Sequence, residues 1–441
     1  MGPAIHGLPN RLREGSDSPN EDRLTRLLFL GFVYPPDMED FVLSHERGIP
    51  QIAANRLGWF FIRGIESALE EGMDLLSVLS VSCFPQFTKI FIRSGTRRRK
   101  NGRELVFAPY INLPLLKRSS MMLSTMLQLA RWLHSTRKVP NRIVTVYAMY
   151  TATFVAAAIV CRWFRVPCVL IVPDLPEYIR PGYVANSLFA RIRELNMRML
   201  HRLADQMQGF IFLTKHMAER FHLGSRPFDV VEGFADVENG EYDQKPSERG
   251  HERAVMYAGI LSAVYGVRML VQAFMRLKNP SYRLWLCGRG ELEPEILSCA
   301  EEDSRIKFLG MVSNSEVLQR ERCATLLVNP RPSDSEYTRY SFPSKNLEYL
   351  SSGRPVVLCR LPGIPDEYFD YVYALDNESV EGMATLLDHV LQKSDEELEA
   401  FGQRARRFVL DHKNYRKQGE RVRRVMELVQ HHRPMETTST N

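Results

Sequence analysis

A chain of 441 residues is too long for one comfortable hydrophobic core, so two domains are the starting expectation. With 44% hydrophobic and 25% charged residues it has the ordinary composition of a soluble globular protein, which excludes a fibrous or wholly disordered chain. The net charge of +6 suits an anionic substrate, a phospholipid surface or nucleic acid without choosing among them, and seven cysteines with no CxxC pair read as reduced core residues, not as a disulfide or zinc framework.

Residues 1–23 mix acids and bases around no apolar core, so they read as a disordered leader and not as a signal peptide. LLFLGFV (Leu27–Val33) is a buried-type strand running into the loop YPPDMEDF, the usual opening of a doubly wound domain. Further strands are expected at Leu75–Val81, Lys89–Ile92, Leu105–Phe107, Ile143–Ala148, Cys168–Val172, Gly209–Leu213 and Asp229–Val231. Helices are expected at Arg56–Glu71, Ser120–Ser135, Thr151–Phe164, Ala185–Ala204 and His216–Phe221, and this alternation predicts a largely parallel sheet covered on both faces. Ile143–Cys161 holds no charge over nineteen residues, long enough for a membrane span. Its first part, IVTVYAM, is β-branched and aromatic like a buried strand, and its second, TATFVAAAIVC, is Ala-rich like a helix on a sheet, so strand-then-helix is the reading adopted.

Near Asp236 the pattern breaks into the hydrophilic run Glu238–Arg253, taken as the domain boundary. Alternation then restarts with strands at Ala254–Ile260, Arg283–Gly288, Lys307–Gly310, Ala324–Val328, Pro355–Cys359 and Val372–Leu375. Between and after them helices are expected at Val267–Leu277, Pro294–Glu302, Asn314–Glu321, Ser379–Lys393 and Asp395–Lys413, before a basic helix, Lys417–Val429. The fold class is therefore α/β, two doubly wound Rossmann-like domains facing each other across a cleft. The first spans 24–236 and the second 237–416, with 417–433 as a closing helix and 434–441 as a tail.

Asn329–Cys359 is the most informative stretch: a strand, a long polar loop, a short helix, a Gly353 stop and another strand. A loop-to-helix step between buried strands is where an open α/β sheet binds nucleotides. Lys345 and Glu348 are three apart and share a helix face, where a cation can pair with a diphosphate and a carboxylate can accept from a ribose diol. The same pair would also serve as a surface ion pair on an ordinary helix; the irregular loop before it favours a site. YAGILSAVYGV (Tyr257–Val267) and CGRGEL (Cys287–Leu292) are glycine turns at strand ends, fit for close backbone approach to a ligand or for plain turns. In the first domain VPDLPEYIRPGY places Asp174 and Glu177 just past a buried strand, where a catalytic or acceptor-binding carboxylate, or a helix cap, would sit. In LTKHMAERF, Thr214 would cap a helix and Lys215 would reach an anion.

Taken together, AGILSAVYGV, LCGRGEL, NPR and FPSKNLEYLSSGRPVVL resemble the retaining glycosyltransferases of family 4, with the GT-B fold, and especially bacterial members that build surface polysaccharides, whose first domain often carries a segment like DLPEY. The resemblance implies that the second domain binds a nucleoside-diphosphate sugar, the first binds the acceptor, and the last helix crosses back to the first domain. It assigns Glu348 to the ribose and Gly259, Ser344 and Lys345 to the diphosphate region, with Gly288 in a cleft-facing turn. The sequence also departs from the pattern. Tyr340 stands where a first glutamate is usual, Ile260 and Tyr265 where an Arg and a Lys are usual, and Asp174 inherits a His-Asp site without its histidine. Arg331 or Arg339, with Lys345, is then left to neutralise the diphosphate.

The expectation is a cytosolic transferase moving a sugar from a nucleotide-sugar donor to a glycan or lipid-linked acceptor. Asp174 and Lys345 are its catalytic candidates, Gly259, Gly288, Arg331, Tyr340, Ser344 and Glu348 its donor contacts, and Glu177 and Tyr178 its acceptor contacts. No metal cluster is visible, so neither metal nor other cofactor is expected. The basic segment Gly95–Arg103 and the amphipathic run Leu115–Lys138 suit an anionic membrane surface, or else a solvated loop and a core helix. Poor interleaving of basic and aromatic residues argues against nucleic acid. The rival readings are a non-catalytic nucleotide-sugar-binding subunit and a GT-B epimerase or phosphorylase.

Overall fold

The computed structural model describes residues 25–48, 51–178, 188–235 and 252–431. The leader, the tail, the start of the helix expected from Ala185 and almost all of the boundary run lie outside them.

The first domain builds β1 (Thr25–Gly31), α1 (Glu39–His45), α2 (Ile52–Leu69), β2 (Asp74–Ser77), β3 (Phe91–Ile92), β4 (Gly95–Arg98), β5 (Glu104–Phe107) and β6 (Tyr110–Ile111). It continues with α3 (Lys117–Ser135), β7 (Asn141–Tyr147), α4 (Thr151–Phe164), β8 (Cys168–Val172), α5 (Leu188–Ala204), β9 (Gly209–Phe212), α6 (Lys215–Ala218) and β10 (Phe228–Val230). Among the described residues, eight strands form a sheet ordered β10-β9-β8-β7-β1-β2-β5-β4, in which β4 alone runs antiparallel to its neighbour. All five residues of β8 are buried, as a strand covered on both faces requires. The uncharged run divides into β7 and α4, and no helix of the described residues is long and apolar enough to cross a membrane.

One expectation is corrected here. Gly95–Arg98, read as part of a cationic loop, is the antiparallel edge strand β4, and Arg97 and Arg99 have acid partners. Arg97 donates to Asp37 at 2.5 Å, and Arg99 donates to both oxygens of Glu66 at 2.5 and 2.9 Å. A row of arginines on an edge strand discourages pairing with a second sheet.

The second domain contains β11 (Arg253–Ala258), α7 (Val267–Met275), β12 (Tyr282–Cys287), α8 (Glu293–Glu302), β13 (Ile306–Gly310), α9 (Asn314–Cys323) and β14 (Leu326–Asn329). It goes on through α10 (Lys345–Ser351), β15 (Val356–Cys359), β16 (Tyr373–Leu375), α11 (Val380–Leu391), α12 (Asp395–His412) and α13 (Tyr415–His431). Its six described strands are all parallel, ordered β13-β12-β11-β14-β15-β16. Strand order reverses between β11 and β14, so the loops leaving those two strands diverge around the crevice where a doubly wound sheet takes its ligand.

The chain passes between the domains at two places that lie side by side. The amide of Ala235, on the outward path, donates to the carbonyl of Lys413, on the return, at 2.8 Å. Under this contact the buried carboxylate of Glu232 accepts from Lys413, from Tyr368 Oη at 3.0 Å and from Gln418 at 3.0 Å. After the return, α13 packs on α2 of the first domain. Gly64 and Gly419 let the two backbones meet: a Cβ on Gly419 would lie 2.0 Å from the Gly64 carbonyl oxygen.

Candidate functional site

The loops after β11, β12 and β14 are packed onto one another through glycine. Gly266 (φ +75°) lies so close to the loop after β14 that a Cβ there would stand 1.9 Å from the Pro330 carbonyl oxygen. A Cβ on Gly288 (φ +133°) would stand 1.8 Å from the Gly259 oxygen, so the two turns singled out in the sequence are pressed against each other. Their amides are also spent internally: Gly259 donates to Cys287 at 3.0 Å and Leu261 to Arg289 at 2.9 Å. The sequence read these glycines as fit for close backbone approach to a ligand or as plain turns, and in the structure it is the neighbouring loops that approach them. Beside these turns stand cationic side chains.

Arg331 is the first of these. Its guanidinium lies 4.5 Å from the Tyr337 ring centroid and 5.4 Å from that of Tyr265, donates to Tyr337 Oη at 3.2 Å, and reaches Ser341 Oγ at 3.5 Å. Tyr265 thus carries the Arg331 cation on its ring face. Arg339, the alternative, turns to the first domain instead. It approaches Glu219 at 3.6 Å and His216 at 3.5 Å, and its carbonyl accepts from Thr214 Oγ1 at 2.9 Å. Thr214 therefore ties the domains together and does not cap α6, which has no side-chain cap.

On α10, Lys345 pairs with Glu348, and its Nζ also lies 3.3 Å from Glu321 Oε1 at the end of α9. Glu321 is fully buried, a position the sequence did not single out because QRERC reads as a solvated helix face. The available signal was its place three residues after the buried Leu318, on the inner side of α9. Burial, reinforced by the nearby Glu348, pushes the Glu321 carboxyl well above its usual range, with Lys345 pulling the other way. Burial opposes charge on Lys345, but Glu321 and Glu348 outweigh it and keep the amine protonated. Ser344 takes the N-cap position with no side-chain capping bond. The helix is fixed from below, where Asn329 donates to Asn346 at 2.7 Å and Tyr349 Oη accepts from the Ala258 amide at 2.9 Å.

The opposite wall comes from the end of β8. Asp174 is open to solvent yet surrounded by protein in the cleft; that surrounding raises its carboxyl to about 6, with Arg331 across the cleft pulling the other way. Glu177 is engaged within its own domain, by His201 at 3.2 Å and Arg220 at 3.5 Å. The Tyr178 ring stacks on Tyr340 with centroids 5.3 Å apart, and Arg220 lies 5.7 Å from the other ring centroid, that of Tyr340. The structure thus brings together Asp174 with Arg331 and Lys345 with Glu348, and places Tyr178 and Tyr340, read as acceptor and donor contacts, against each other.

Residues 252–393 match the family model of the glycosyl transferases group 1. No curated protein matches the chain in sequence. Solved structures with the same arrangement include sucrose-phosphate synthase from Thermosynechococcus elongatus, at 12% identity and TM-score 0.63 over 92% of this chain and 99% of that one. A second is the Anabaena protein HepE in complex with UDP, at 14% identity and TM-score 0.61 over 92% and 100%. A third is the E. coli trehalose-6-phosphate protein bound with UDP-2-fluoro glucose, at 12% identity and TM-score 0.63 over 91% and 99%. The chain thus has the GT-B fold, and within its second domain residues 252–393 are similar to the glycosyl transferases group 1.

Proposed function

We propose that this protein is a retaining glycosyltransferase of the family 4 type, moving a sugar from a nucleoside-diphosphate donor to a hydroxyl of a glycan or lipid-linked acceptor in polysaccharide or glycoconjugate synthesis. Its place would be the cytoplasm or the inner face of a membrane. The observation that carries the reading is Arg331, clamped between Tyr265 and Tyr337 on the loop that leads into the Lys345–Glu348 helix and close enough to Asp174 for its charge to act on that carboxyl. The donor enters with its ribose hydroxyls on Glu348 and its diphosphate between Lys345 and Arg331. Departure of the diphosphate concentrates negative charge between these two cations, and their fixed positions in a partly dry cleft are the main source of rate. Asp174 faces the acceptor side. UDP is the base and diphosphate to try first, since HepE and the E. coli protein are the ones solved with UDP or a UDP sugar.

A ligand that binds only the folded state raises its melting temperature. UDP at a hundredfold excess over its dissociation constant is expected to stabilise the protein by about 2.7 kcal/mol, and a metal-independent donor site is expected to keep that shift in the presence of a chelator. Glu348→Ala is expected to lose most of that shift while its own unliganded melting point stays close to the parent's. An undiminished shift removes Glu348 from the ribose.

Asp174 supplies a pH test. Its carboxyl is raised to about 6, so the ionised form accumulates as pH rises from 5 to 7, and transfer is expected to climb with it. Because the folded protein holds this proton more tightly than an unfolded chain does, ionisation of Asp174 lowers stability as pH rises from about 4 to 6. Asp174→Asn is therefore expected to flatten the acid limb of the rate profile without loss of stability at pH 7.

A further inference from the structure

Away from the cleft, α3, α4 and α5 lie side by side on one face of the first sheet, while α2 and α13 pack together on the other. The three helices hold eight Lys and Arg against a single acid, Glu194. Six of them, Arg118, Arg131, Arg162, Arg191, Arg198 and Arg202, are exposed, while Lys117 and Arg193 turn inward to the Val81 and Glu177 carbonyls.

The same face is apolar in its outward stripe. On α3 the inner residues Met121, Leu129 and Leu133 are buried, yet the outer stripe holds Leu123, 62% exposed, and Leu127. On α4 the alanines face the sheet and Trp163 stands out at 83% exposed, beside Arg162. On α5 the outward positions are Ile192 and Leu195, the latter 64% exposed, next to Arg198 and Arg202. A cavity of about 240 Å³ opens between Leu195, Met199, Arg198 and Arg202. Large apolar side chains at helix spacing, in a fringe of arginine with almost no acid, form an exposed patch that a monomer in water seldom keeps. A polybasic fringe around inserted Leu and Trp is the chemistry of an anionic lipid surface, where phosphates take the arginines and the acyl boundary takes the apolar stripe.

We propose that the α3–α4–α5 face docks this protein on an anionic phospholipid bilayer. This moves the contact away from Gly95–Arg103, whose Arg97 and Arg99 are already paired with acids, and adds α4 and α5 to the apolar run of α3. It rests on the transferase reading only for its purpose, which is to bring the cleft to a lipid-linked acceptor; the docking itself is measurable without donor or acceptor.

The test is co-sedimentation of the full chain with vesicles of phosphatidylcholine alone or of phosphatidylcholine and phosphatidylglycerol at about 70:30, at low salt. Each basic residue near such a surface contributes about 1 kcal/mol, a factor of about five. Binding is expected to the anionic vesicles only, to weaken at high salt, and to fall about 30-fold in Arg162→Ala/Arg202→Ala, whereas Arg198 is already paired with Glu194. Leu123→Asp/Leu195→Asp is expected to abolish it, and these exposed positions leave the UDP shift as a check that the cleft is intact. Insertion of Trp163 is expected to blue-shift the emission on binding, and Trp163→Phe to remove that change. No binding to anionic vesicles, or equal binding to both kinds, overturns the proposal. So does reversible self-association that Leu195→Asp prevents, which would make the face an interface between copies. Loss of the UDP shift in the parent with vesicle binding intact would instead count against the transferase reading alone.

Discussion

Lys345→Ala is expected to lower sugar transfer by about 10²–10³-fold, with the loss mainly in kcat. The ammonium sits where the leaving diphosphate gathers charge, and removing one fixed donor from such a place costs about that factor. The variant also leaves Glu321 and Glu348 facing each other without the cation that lies between them. Burial and Glu348 both raise the Glu321 carboxyl, which eases the loss of its cation, so the fold is expected to survive and the kinetic loss to be readable. Glu321→Gln, which keeps the shape without the charge, is expected to retain most of the activity. If Lys345→Ala transfers sugar at the parental rate, the diphosphate does not bind at α10.

Glu232→Ala has the largest expected effect on stability, about 3 kcal/mol, read as a shift in the denaturant midpoint. Removing one member of a buried pair strands the other charge, which is worth about 3–5 kcal/mol; Lys413 retains Glu367 at 2.6 Å, which places the figure at the lower end. Glu232→Gln keeps a side chain able to meet Tyr368 and is expected to cost less. Burial works against ionisation of Glu232, but Lys413 and the donated hydrogen bonds prevail and hold its carboxyl below the ordinary range. A carboxyl lowered by folding stabilises the protein above its unfolded value, near 4.5, and that contribution disappears as pH falls through the lower folded value. Acid is thus expected to loosen the parent between the domains and to have a smaller effect on Glu232→Ala.

The apolar runs were the legible part of the sequence. The strand expected at Cys168–Val172 and the helix at Thr151–Phe164 have those bounds in the structure, because strands buried on both faces and Ala-rich covering helices leave unbroken signals. Edge strand β4 was hidden because its arginines carry the signature of a loop. Helix α1 was lost because its start overlaps the loop YPPDMEDF and, of its own residues, only Val42 is buried. At the site, Lys345 and Glu348 could be placed by spacing within one helix. The contacts that complete it could not: Arg331 with Tyr265, Tyr178 with Tyr340 and Glu321 with Lys345 join residues from separate elements. The turn glycines show the reverse case, a local pattern whose meaning was set by the loop beside it.

The return of α13 to α2 also bears on how the chain is made. Domains usually fold in the order in which they leave the ribosome. Here the apolar face of α2 has no cover until residues 415–431 have been synthesised, since the backbone contact at Gly64 needs Gly419 to meet it. The nascent first domain therefore waits, with a core face open, through the synthesis of the whole second domain. A frameshift or stop codon far downstream would do its damage in the domain that was translated first.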